Sequence, residues 1–151
     1  MREKTAAVSR SAEALLRLPV RVRGIAVGRA VDVILDIEGR RVVGLDVLCK
    51  DETHRFLPLS AASLSPDEIA VASALTLLSA DELAFYRRQA QSLRALRGGR
   101  VRRAARDVGR LQDVVLAPDG EITRLVIDGG RDVLVEPGVA VTVDPARVDA
   151  A

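Results

Sequence analysis

The chain has 151 residues, of which 48% are hydrophobic, 29% charged and 2% aromatic, with a formal net charge of +2. That apolar content, mostly Val, Leu and Ala, supplies one ordinary core or two small ones and excludes disordered and collagen-like classes. No apolar run approaches the roughly 18 to 20 residues of a membrane-spanning helix, residues 1–12 lack the apolar centre of a signal peptide, and the single cysteine, Cys49, cannot form an internal disulfide, so a cytoplasmic protein without an integral membrane segment is expected.

Residues 1–12 read as a flexible tail, with a helical turn over Ser11–Leu16 placed to cap the open end of a first small barrel. Val31, Val33 and Leu35 then alternate with Asp32, Ile34 and Asp36, the period-two pattern of a strand with one face inward. A turn at Asp36-Ile37-Glu38-Gly39 leads into a second strand over Val42–Cys49, a third covers His54–Leu59, and Ile69-Ala70-Val71 is a short fourth. Ser79-Ala80-Asp81-Glu82 is a capping box. Leu83, Tyr86, Ala90, Leu93 and Leu96 follow at helical spacing until Gly98-Gly99, which predicts one amphipathic helix to about residue 97.

Beyond that helix the chain repeats itself. At an offset of 81, Val20-Arg21 falls on Val101-Arg102, Val27-Gly28-Arg29 on Val108-Gly109-Arg110, Asp32-Val33 on Asp113-Val114, Leu35 on Leu116 and Gly39 on Gly120. After one residue is dropped, Val42, Leu45 and Val47 meet Ile122, Leu125 and Ile127, and Ile69–Val71 resembles Val139–Val141, which removes about ten residues from a late loop of the second copy. The expected fold is mainly β: two small antiparallel barrels joined by an amphipathic connector helix. Its boundaries are a tail over 1–12, a first repeat over 13–77, the connector over 78–98, a second repeat over 99–145 and a C-terminal tail over 146–151. Gly28, Gly39, Gly109 and Gly120 serve turns and bulges, because no phosphate-loop spacing accompanies them. Asp32 and Asp113, equivalent in the repeat, fall on the polar face of their strands and are read as solvated rather than as paired carboxylates.

Charge is unevenly placed. Of 23 basic residues 21 are arginines. Residues 94–110 hold Arg94, Arg97, Arg100, Arg102, Arg103, Arg106 and Arg110 against Asp107 alone, whereas residues 111–151 hold eight acids against three arginines. The basic segment either grips an anionic partner or is neutralised by its acidic neighbour within one fold, the commoner outcome. Arginine-driven binding of nucleic acid usually adds stacking aromatics, and Phe56, Phe85 and Tyr86 all lie outside the basic run.

Leu15-Leu16-Arg17-Leu18-Pro19-Val20, Val27-Gly28-Arg29 with Asp32-Val33, and Gly39-Arg40-Arg41-Val42-Val43-Gly44-Leu45 together resemble the PRC-barrel domain family. Val108 to Ile127, closed by Asp128-Gly129-Gly130, repeats the outline, so the resemblance covers nearly the whole chain apart from connector and tails. It implies small six-stranded barrels of the kind found in a photosynthetic reaction-centre subunit, in ribosome maturation factors and, in tandem, beside the cytosolic domains of magnesium transporters. The membrane helix of the first and the separate amino-terminal barrel of the second have no counterpart here, so neither function carries over directly. The resemblance implies a binding or assembly module, without cofactor, including the regulatory partner of a membrane transporter or other complex.

Cys49 and His54 flank the turn Lys50–Thr53 and could meet across the hairpin as a thiolate pair, but no third group orients them, and they are read as a half-buried thiol and a surface histidine. Two such ligands do not make a zinc site. A non-enzymatic adaptor is therefore expected, without metal. It would bind a protein partner through exposed strand edges or the helix stripe Leu83, Tyr86 and Leu93, and a homodimer through such edges is also open. The alternative is a module for RNA or a ribosomal particle that uses the seven arginines, in which case affinity falls steeply with salt.

Overall fold

The computed structural model describes residues 9–38, 40–136 and 138–144. In chain order the elements are β1 (Arg10–Ser11), α1 (Ala12–Leu15), β2 (Pro19–Val22), β3 (Ile25–Asp36), β4 (Arg41–Cys49), β5 (His54–Pro58), β6 (Ala62–Leu64), β7 (Ile69–Val71), α2 (Ala80–Gln89), β8 (Gln91–Ser92), α3 (Leu93–Leu96), β9 (Arg100–Arg103), β10 (Arg106–Leu116), β11 (Ile122–Ile127), β12 (Arg131–Leu134) and β13 (Val141–Val143). The chain is mainly β, with two sheets. The first sheet runs β5-β4-β3-β2-β7-β6 and the second β12-β11-β10-β9-β13.

The two sheets share the repeat's register. Asp32 pairs with Asp46 and Ile34 with Gly44 across β3–β4, and Asp113 pairs with Val126 and Val115 with Arg124 across β10–β11. They differ at one place. In the first sheet β7 lies parallel to β2 and stands between β2 and β6, whereas in the second β13 pairs directly with β9, antiparallel. Polarity makes β13 the counterpart of β6, so Val139–Val141 is not a second copy of Ile69–Val71. With β6 matched to β13 the offset stays at 79, and no counterpart of β7 is present among the described residues.

The segments that lead the two repeats are exchanged. β1 pairs with β10, Ser11 opposite Val115, and β8 pairs with β3, Ser92 opposite Ile34. Each is followed by a one-turn helix whose apolar side chains, Ala12 and Leu15 or Leu93 and Leu96, are buried. The hairpin ends also meet: Val42 donates its N–H to the Gly120 carbonyl and Ile122 to that of Arg40, both at 2.8 Å. One hydrophobic cluster consequently runs through both halves, from Val20, Leu35, Leu45 and Leu57 to Leu93, Leu111, Leu116, Ile122 and Leu125. Composition left one core or two small ones open, and the exchange makes it one.

Two boundaries shift for the same reason. The tail expected over 1–12 ends sooner, because Arg10 and Ser11 add a strand to β10 and Ala12 is buried. The helix expected to reach residue 97 stops at Gln89: Ala90 is extended (φ −132°, ψ −170°), which frees Gln91–Ser92 to join β3 and makes Leu93–Leu96 a separate helix. Leu93 and Leu96 had the right spacing for the longer helix, but Ser92 caps a new one by accepting the Ala95 N–H at 3.1 Å. Gly39 and the tail over 146–151 lie outside the described residues.

Candidate functional site

The outer face of the first sheet holds the buried carboxylates found among the described residues, Asp46 and Asp32. Asp46 is 0% exposed on β4. Its Oδ2 lies 2.5 Å from Arg87 Nη2 of α2, and its Oδ1 lies 2.8 Å from His54 Nδ1 of β5. Asp46 stands opposite Phe56 and Leu48 opposite His54, so these four share one face. Cys49, one residue further on, points to the other face, and the pleat keeps the thiol away from the imidazole. The thiolate pair considered for Cys49 and His54 is thereby ruled out. Burial first, and the Asp51 carboxylate next, push the Cys49 thiol above its ordinary pKa, the opposite of what a nucleophile needs.

Asp32 and Asp113 are not solvated residues. Asp32 is 2% exposed, and its Oδ1 accepts the backbone N–H of Arg94 at 3.1 Å and of Val33 at 2.8 Å. Half-buried Asp113 accepts the N–H of Glu13 at 3.0 Å and of Val114 at 2.8 Å, and Ser11 Oγ donates to its other oxygen. Alternation placed both on the face away from the core correctly. That face is covered, however, by the exchanged segments β8–α3 and β1–α1, whose free helical N–H groups the carboxylates receive.

The seven arginines are largely paired. Arg97 bonds Glu13, Arg100 bonds Asp107, Arg103 lies 3.1 Å from Glu136 and Arg102 lies 3.7 Å from Asp144. Arg110 donates to the Gly98 carbonyl at 3.0 Å. Arg94 and Arg106 are exposed and have no acidic partner among the described residues. Neutralisation within the fold accounts for most of the segment, each exposed pair contributing little to stability. Of the helix stripe proposed for partner binding, Leu83 and Leu93 are buried and Tyr86 is half-buried against Phe56, so those side chains serve the fold.

The surface that sequence reasoning missed is apolar. Leu75 is 88% and Ile25 69% exposed. Their neighbours Ala74 and Ala26 line a groove of about 490 Å³ with Val27, Cys49 and Leu77, rimmed by Lys50, Asp51 and Arg55. Two local features hold the pair out. Ile25 follows the two-residue turn Arg23-Gly24, where both residues have positive φ (52° and 84°) and Val22 pairs with Ile25. Leu75 sits in a 3-10 turn over Ala74–Thr76, whose preceding Ser73 accepts the Leu75 N–H at 3.1 Å. A leucine run broken by two capping serines, Ser73 and Ser79, was the available signal.

Among the described residues no group of three or more His, Cys, Asp and Glu is placed to hold a metal ion, and no helix is long and apolar enough to cross a membrane. No protein-family model and no curated protein matches the chain.

Proposed function

We propose that the chain is a non-enzymatic protein-binding module of the PRC-barrel type, with its two sheets as paired small barrels joined through α2, acting in assembly or as the regulatory partner of a larger complex such as a transporter. The supporting observation is the groove lined by Ala26, Val27, Cys49, Ala74 and Leu77, with the exposed Leu75 and Ile25 each next in the chain to a lining residue. Large apolar side chains left in water next to a concave apolar surface characterise protein docking sites, where such side chains become buried anchors. The main acidic and basic groups are, by contrast, engaged in holding the fold together.

A photo-crosslinking residue in place of Leu75, compared with one in place of Arg106, tests this in cells. Protein adducts formed from position 75 and absent from 106 are expected. Adducts to RNA from position 106, with none from 75, would favour the alternative use of the arginine segment, for which the exposed Arg94 and Arg106 speak.

A further inference from the structure

We propose that the outer face of the first sheet is a helix-binding seat, that α2 is its resident but releasable occupant, and that a protein partner engages the seat with a helix of the same chemistry. The proposal deepens the protein-binding reading and rests on it. The seat is shaped by Gly44: a Cβ there would lie 2.5 Å from the Phe56 ring, so only glycine lets the ring lie flat across β4. Tyr86 stacks on that ring with centroids 4.2 Å apart and planes at 11°. Beside it, the buried carboxylate of Asp46 requires a cation from whatever covers the face, and α2 provides Arg87. The seat therefore specifies its occupant: apolar groups at i and i+3, filled by Leu83 and Tyr86, and arginine at i+4, with the extended Ala90 packed just beyond the helix end.

α2 is attached apart from the main core. Ile34, Phe56 and Leu83 form a cluster of their own, and Leu83 is the only residue of the helix that is fully buried. Both flanks are fastened independently. Leu78 exchanges two backbone hydrogen bonds with Phe56, at 3.0 and 2.8 Å, and Gln91–Ser92 are bonded to β3. A ten-residue helix is marginal in water without its seat. Release of α2 would thus open a loop between two anchors and leave the sheets intact. Among the described residues the second half carries only the short α1 on the matching face, over Asp113, and no counterpart of α2. In the same register it carries Val126 for Asp46 and Arg124 for Gly44, and Arg124 pairs with Asp132 at 2.9 Å in solvent.

The test uses the full chain and a synthetic peptide of residues 79–90. In the wild type, amide hydrogens of residues 83–89 are expected to exchange at least ~100-fold faster than those of β3 and β4. The variant Tyr86→Asp should unseat α2 and stay folded, and the added peptide should then shift the NMR signals of Ile34, Gly44 and Phe56. A peptide with Arg87→Ala should bind at least ~10-fold more weakly. Protection of α2 equal to that of β3, unfolding of Tyr86→Asp, or signals unmoved by the peptide would each overturn the proposal. Peptide binding together with the absence of protein adducts in the crosslinking experiment would retain the seat and reject the protein-binding reading.

Discussion

Asp32 accepts the backbone N–H of Arg94 at 3.1 Å, and the repeat-related Asp113 accepts that of Glu13 at 3.0 Å, so each half caps the short helix that leads the other. Asp32→Ala leaves a buried helix end without its acceptor and is expected to lower stability by about 1–3 kcal/mol. Asp113→Ala, at a half-buried site, should cost about 1 kcal/mol. Asp32→Asn, whose side-chain oxygen still accepts, should recover part of the loss. Urea unfolding followed by circular dichroism checks the order. Because one core spans both halves, all three variants should unfold in a single transition.

The turn between β9 and β10 repeats the geometry of Arg23-Gly24 without its glycine. Arg103 pairs with Arg106, and Ala104 and Ala105 both have positive φ, at 54° and 68°. Left-handed backbone costs a non-glycine residue about 1 kcal/mol. Ala105→Gly should therefore stabilise the protein by about 0.5–1 kcal/mol and raise its melting temperature by a few degrees. The same substitution at the well-packed Ala30 of β3 should do the opposite.

Gly44→Ala should destabilise by about 1–3 kcal/mol, since its Cβ would overlap the Phe56 ring and the Leu57 carbonyl. The loss should be reported first by the aromatic near-ultraviolet signal, because Phe56 and Tyr86 stack directly over this position. Thermal melts at both wavelengths measure it.

Cys49 should resist alkylation at about pH 8.5, where an ordinary thiol is half ionised, and gain reactivity only as the pH rises further. The folded thiol holds its proton to higher pH than the unfolded one. Its contribution to stability is therefore present below the ordinary thiol pKa and lost as pH rises through the raised one. Iodoacetamide labelling rates against pH, native and in urea, give both limits.

Much of the architecture was legible in the sequence because strand alternation and turn chemistry are local. Val31 to Asp36, the turn after it and the repeat at an offset of 81 predicted the hairpins that β3–β4 and β10–β11 form. What the sequence hid was non-local. Nothing near Asp32 reveals that a helix 62 residues away will cover it, and nothing near Leu93 distinguishes one long helix from two short ones except Ser92. Nothing near Asp46 in the sequence shows that Arg87 of α2 will cover it. The exposure of Leu75 and Ile25 is likewise set by the three-dimensional course of two turns rather than by composition.

The protein-binding reading is tested most directly by affinity capture of the tagged full chain from its own cell extract at low and high salt, with and without nuclease, beside the variant Leu75→Asp. A defined protein partner retained through high salt and nuclease, and lost with Leu75→Asp, is the predicted result. Recovery of RNA or ribosomal particles that disappear at high salt, and that Leu75→Asp retains while conversion of Arg94 and Arg106 to Gln does not, would contradict it.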